Sequence, residues 1–287
     1  MNSENTRRVV KHRIYFPVAF TGSAPVILVS HGGDGATNAE TRSFPHLGRE
    51  YASHGYLSIH LNHLPSSNVM QHRLDRPGDV RATLDALFDG ALTLPADFRG
   101  SVDFARIAHA GHSWGAYTGH AVGGATFTQG TFTDARIKAL VPMSPQGWGN
   151  FGAFDDVPDL TRPSSNNSWM NVTLPAYNIV GGNEKDGQIG PGSPAIAPNW
   201  RLAPFSRYPA VGDKFLTIIA DQWHDDLGGK ASDDVNAFVA QSTRAFFDSY
   251  LKGVAQRACE IGSNPPAVGA ATQRKADPTG FVKECAP

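Results

Sequence analysis

A series of short apolar runs, spaced along the chain and separated by helix-like segments, does most to limit what this 287-residue polypeptide can fold into. The runs are residues 26–30, 56–61, 107–110, 137–143, 176–180 and 215–220. Each is strand-sized, and the run at 26–30 is β-branched or leucine up to Ser30, the pattern of a strand buried on both faces. Between them, residues 43–54 read as a helix stopped by Gly55. Residues 79–92 carry Val80, Leu84, Leu87 and Phe88 at helical spacing, with Pro77 and Asp79 near the start. Ser232 caps a last helix through Tyr250, with Asp233 and Asp234 in its first turn and Lys252 then Gly253 at its end. Residues 9–20 read as one or two antiparallel strands. Strands and helices alternating in this way predict an α/β fold, a mostly parallel central sheet with helices on both faces.

The organisation expected is a catalytic domain over residues 1–253 and a C-terminal tail over 254–287. Two stretches lack periodicity, 145–172 and 187–209, and both follow the carboxyl ends of expected strands, where open α/β sheets bind ligands. Both are read as lid-like loops. The first is rich in aromatic and amide residues (Trp148, Phe151, Phe154, Asn166, Asn167, Trp169), as an apolar cleft would be, or as a surface decoration packed on its own rings would be. Twenty-five basic residues stand against 26 acidic ones, a net charge of −1, which gives no electrostatic reason to expect nucleic acid or an anionic membrane as partner. No apolar run has the length of a bilayer span. Residues 14–20 are too short for a signal core and are interrupted by Pro17. Cys259 and Cys285 are the chain's two cysteines, in neither a zinc nor a redox spacing. A disulfide between them would staple the tail and imply an oxidising compartment; the alternative is two unrelated thiols, and localisation is otherwise unassigned.

The chemistry is concentrated at Gly111-His112-Ser113-Trp114-Gly115, between a strand and a small-residue helix. A Gly-x-Ser-x-Gly turn in that setting lifts a serine hydroxyl out of the backbone above a sheet. A serine is a weak nucleophile without a base, a group that orients the base, and donors for the oxyanion. On this fold the chain order is serine, acid, histidine. The histidine is then His224, the only one after His120, on the loop that follows residues 215–220. The acid is assigned to Asp186, just past residues 176–180, with Glu184 as its competitor; the other place for an acid, after residues 137–143, holds Ser144. The oxyanion donors are assigned to the backbone N–H groups of Trp114 and of Gly33, with Gly32 the alternative, in the loop His31-Gly32-Gly33-Asp34-Gly35. Trp148 and Trp223 are assigned to the substrate pocket. A metal site from Asp221, His224 and Asp225 has no second histidine cluster to complete it, and the expected chemistry uses no metal or organic cofactor.

Taken in order, Ser30-His31-Gly32-Gly33, Arg76-Pro77-Gly78-Asp79-Val80, Gly111 to Thr118, Trp200 to Phe205, Gly212 to Phe215, Trp223-His224 and Leu227-Gly228-Gly229 resemble bacterial α/β-hydrolases over roughly residues 24–253. The chain looks most like the dienelactone-hydrolase-like group, itself similar to platelet-activating-factor acetylhydrolases and polyester hydrolases. It departs from the first in having serine at 113 where dienelactone hydrolases have cysteine, and from the second in having Ser144 where their acid stands. The resemblance implies an α/β-hydrolase fold. The expectation is a serine esterase that cleaves a small-molecule or polymeric carboxylic ester through an acyl-enzyme on Ser113. Acyl transfer, amide, lactone or carbon–carbon cleavage on the same fold, and an inert binding module, are the alternatives. Oligomeric state is not predicted.

Overall fold

The computed structural model describes residues 9–33, 44–66, 69–127, 130–149, 168–262, 268–275, 277 and 279–280. In chain order the elements are β1 (Lys11–Tyr15), β2 (Ser23–Ser30), α1 (Pro45–Ser53), β3 (Leu57–Asn62), α2 (Val69–Phe88), β4 (Ser101–His112) and α3 (Trp114–Val122). They continue with a small hairpin of β5 (Thr126–Phe127) and β6 (Gly130–Thr131), then β7 (Ile137–Met143), β8 (Ala176–Gly181), α4 (Ala203–Arg207), β9 (Lys214–Ile219), α5 (Asp233–Lys252) and β10 (Ala270–Lys275).

Eight strands form one sheet in the order β1-β3-β2-β4-β7-β8-β9-β10. The six inner strands are parallel; β1 and β10 close the two edges antiparallel. The architecture is therefore α/β, a mostly parallel sheet flanked by helices. Alternate residues of β2 serve the two faces, as the two-residue period of a strand requires. Val26 and Leu28 pack with Leu84 and Tyr117 on the α2/α3 side. Ile27 and Val29 pack with Tyr51, Phe246 and Phe247 on the α1/α5 side. The chain leaves β2 outward to β3 and returns across it to β4, so the strand order reverses between β2 and β4. The crevice at the carboxyl ends there is where open sheets take ligands.

Three expectations change. The helix expected from residue 79 begins at Val69 and runs through Pro77. Proline lacks the N–H that would bond the carbonyl four residues back; here the Tyr117 hydroxyl donates to that carbonyl, of Arg73, at 3.2 Å. The segment read as a tail supplies the edge strand β10 and buries Ala258 and Ile261 in the α5-side core. Cys259 is disulfide-bonded, while Cys285 lies outside the described residues. The stretch 187–209 is not wholly irregular: it contains a 3₁₀ turn, Trp200–Leu202, and α4. Residues 150–167 of the other expected lid lie outside the described residues. No helix among the described residues is long and apolar enough to cross a membrane.

Candidate active site

Ser113 sits between β4 and α3 with φ 55° and ψ −117°, a backbone conformation that side-chain-bearing residues rarely adopt. The glycines around it make the turn possible. A Cβ at Gly111 would lie 2.4 Å from the carbonyl oxygen of Gly115, and one at Gly115 would lie 2.0 Å from that of Ser30. Strand, turn and helix are thus pressed together, and the hydroxyl stands at the carboxyl end of the sheet.

The Ser113 Oγ lies 2.9 Å from His224 Nε2. His224, on the loop after β9, is buried, and its Nδ1 lies 2.8 Å from Glu184 Oε2. A hydroxyl donating to Nε2 and an Nδ1–H donating to a carboxylate assign one neutral tautomer to the ring. His112, the residue before the serine, donates from Nε2 to the His224 carbonyl at 2.8 Å, and the two rings pack with centroids 4.6 Å apart. Burial, then the neighbouring His224, pushes His112 down to about 3, so it stays neutral at ordinary pH.

The acid on His224 is Glu184, not Asp186. Glu184 ends a 3₁₀ turn, Gly182–Glu184, directly after β8. In such a turn residues two apart point to different sides. Asp186 faces away and accepts the Asn199 backbone N–H at 2.6 Å. Gly181 lets the turn close on the histidine loop, because a Cβ there would sit 2.3 Å from the Gln222 carbonyl oxygen. Glu184 is fully buried and accepts from the Ser144 hydroxyl at 2.5 Å and from the Gly181 N–H at 3.0 Å. Burial alone would raise its pKa, but the Arg201 guanidinium, His224 and Ser144 hold it down to about 2. Arg201 is itself buried, with Nε 2.8 Å from Glu184 Oε2 in a charge contact and not an aligned hydrogen bond. Its Nη1 donates to the carbonyls of Ser144 and Pro145. Ser144, at the position of the alternative acid, thus donates to the carboxylate that meets His224.

The loop after β2 passes close to the serine: a Cβ at Gly32 would lie 3.0 Å from Ser113 Cβ. Its carbonyls are held in sequence. Arg76, fully buried on α2, donates from Nη2 to the carbonyl of His31 and from Nη1 to that of Gly33 at 3.0 Å. His31 donates from Nδ1 to the Gly32 carbonyl at 2.7 Å, and its Nε2 accepts from the His63 N–H at 3.0 Å. In a planar trans peptide C=O and N–H point opposite ways, so tying down these carbonyls also aims the N–H groups of Gly32 and Gly33. Beneath them runs a buried chain from Asp79 through His63 and Ser30 to His109, with steps of 3.0, 2.9 and 2.9 Å. Trp114 opens α3, where first-turn N–H groups have no acceptor within the helix.

Ser113 opens into a cavity of about 300 Å³ lined by Gly32, Gly33, His112, Trp114, Gln146 and Trp200, among others. Neither Trp148 nor Trp223 lines it. Trp148 stands one layer back, its carbonyl accepting from the Trp200 indole at 2.8 Å, and the Trp223 N–H is held by Asp226 at 2.7 Å. Asp225 pairs with Lys230 at 2.7 Å. Among the described residues no group of three His, Cys, Asp or Glu is placed to hold a metal ion. The residues that sequence reasoning left without a role are Arg76, Arg201, Ser144 and Gln146. The first two stand in the motifs at 76–80 and 200–205, but a cation in a motif does not announce that it is buried. The chain matches no protein-family model and no curated protein.

Proposed function

We propose that this chain is a serine hydrolase of the α/β-hydrolase fold that cleaves carboxylic esters through an acyl-enzyme. The observation that carries the reading is the relay from Ser113 through His224 to Glu184, at 2.9 and 2.8 Å, on three separate loops at one rim of the sheet. Ser113 attacks the acyl carbon while His224 Nε2 takes its proton. The proton then passes to the departing alcohol. Glu184 holds the imidazole in the competent tautomer and stabilises it once charged. Gly33 and Trp114 N–H groups receive the oxyanion. Water, activated by His224, then releases the acid.

A fluorophosphonate probe is expected to label Ser113, and p-nitrophenyl esters to give a pre-steady-state burst. Ser113→Ala should abolish labelling and lower kcat by about 10⁶-fold. Wild-type protein that hydrolyses the esters with Ser113 unmodified by the probe would overturn the reading.

A further inference from the structure

We propose that Gln146 selects the substrate, and that the substrate is an uncharged ester with a hydroxyl or amide group beside its scissile carbonyl. This rests on the reading of Ser113 as nucleophile. Gln146 is only 5% exposed and lines the cavity into which Ser113 opens. Its Oε1 is buried with no hydrogen-bond partner. Buried polar groups are nearly always paired, and an unmet acceptor carries its full desolvation penalty. A carboxamide left in that condition beside a nucleophile is a socket for a ligand group.

Two features fix what the ligand group is. The backbone leading to Gln146 is rigid, because Arg201 holds the carbonyls of both Ser144 and Pro145. The Gln146 side chain, 5% exposed, starts from that fixed backbone beside the cavity. Among the described residues that line the cavity, the arginine and lysine side chains are both paired. Arg201 is neutralised by Glu184 and Lys230 by Asp225, at 2.8 and 2.7 Å. Among the described residues of the lining, a carboxylate or phosphate on the substrate meets no unpaired cation. The remaining walls include Phe44, Trp114, Ile189, Ile196 and Trp200, which suit a compact apolar body. A carboxamide offers a donor and an acceptor side by side, and a hydroxyl or secondary amide answers both.

The test is steady-state kinetics on matched p-nitrophenyl esters, each rate normalised to uncatalysed hydrolysis. N-acetylglycinate is paired with the similarly sized pentanoate, and 3-hydroxybutanoate with butanoate; the hemisuccinate supplies a negative charge. Wild-type kcat/KM should favour at least one polar member over its plain partner by about tenfold or more, and the hemisuccinate should be the poorest. In Gln146→Leu that ratio should fall to about one. Gln146→Met is the second variant if the leucine protein does not fold. A preference that is absent in wild type, or unchanged in a folded variant, with Ser113 still labelled, overturns the role of Gln146 alone. Faster turnover of the hemisuccinate overturns the neutral substrate class. An unlabelled, inactive wild type overturns the hydrolase reading itself.

Discussion

At the scale of single residues, the assignment of the acid turns on direction and not on distance along the chain. Glu184 and Asp186 follow the same strand, and both are carboxylates within reach of the loop by sequence separation alone. Only Glu184 faces His224; Asp186 is engaged by the Asn199 N–H. Glu184→Gln should therefore lower kcat by about 10³- to 10⁴-fold, since an amide presents the wrong partner to Nδ1. Asp186→Asn should leave kcat/KM within about threefold. Kinetics on the two purified variants, with circular dichroism as the folding control, check the pair; a reversed order would return the acid to Asp186. The serine turn is equally sensitive. In Gly115→Ala the added methyl meets the Ser30 carbonyl at 2.0 Å, and the expected loss is on the order of 3 kcal/mol of stability, measured by urea unfolding.

At the scale of elements, the site is made by loops that neighbouring elements hold under tension of position. Residues 31–33, which follow β2, lie in no helix or strand, and α2 fixes them through Arg76. This is why the helix must extend past Pro77 and why its Arg76 is fully buried. A planar fork that bonds two carbonyls at once is not reproduced by an ammonium. Arg76→Lys should lower kcat by about 10²-fold, the typical effect of one misplaced oxyanion donor, while KM changes far less. Equal changes in kcat and KM, or a collapse of the melting temperature that explains the loss, would refute the clamp. Arg201 holds the loop after β7 in the same manner, through the carbonyls of Ser144 and Pro145, and meets Glu184 on the loop after β8.

At the scale of the whole molecule, buried titratable groups bind the fold to neutral pH. His109, His112 and His120 are each held down to about 3, with burial as the leading cause. Their folded values lie below the ordinary 6.5, so above that pH they contribute no proton difference. As pH falls below about 6.5 the unfolded chain takes protons that the folded chain refuses, and stability is lost until about pH 3. Each group adds about 1.4 kcal/mol per pH unit at most, so the three together reach about 4 kcal/mol per unit. Glu184 adds to the loss between its ordinary 4.5 and about 2. Against a typical stability of about 5–15 kcal/mol, a loss of up to about 10 kcal/mol by pH 4 removes much or all of the margin. Urea midpoints measured from pH 7 to pH 4 should fall throughout; a flat curve between 6.5 and 5 would contradict this. The disulfide at Cys259 acts next to the buried Ala258 and Ile261. Its reduction should remove about 2–4 kcal/mol, read as a lower melting temperature in dithiothreitol.

The α/β class, the order of the parallel strands' elements and the pairing of Ser113 with His224 were legible in the amino-acid order, because each follows from local rules. Apolar runs of strand length bury themselves, a Gly-x-Ser-x-Gly turn can be occupied in few ways, and a single histidine follows the serine's helix. The acid, the aromatic walls and the clamps were not. Glu184 over Asp186 depends on the phase of one short 3₁₀ turn. Trp200 in place of Trp148 and Trp223 depends on which side of a loop faces the cavity. The edge strand β10 forms from a polar segment whose hydrogen bonds come from β9 and not from any period of its own. Side-chain direction and long-range burial are properties of the packed chain; no stretch of sequence contains them until the distant surfaces that impose them have met.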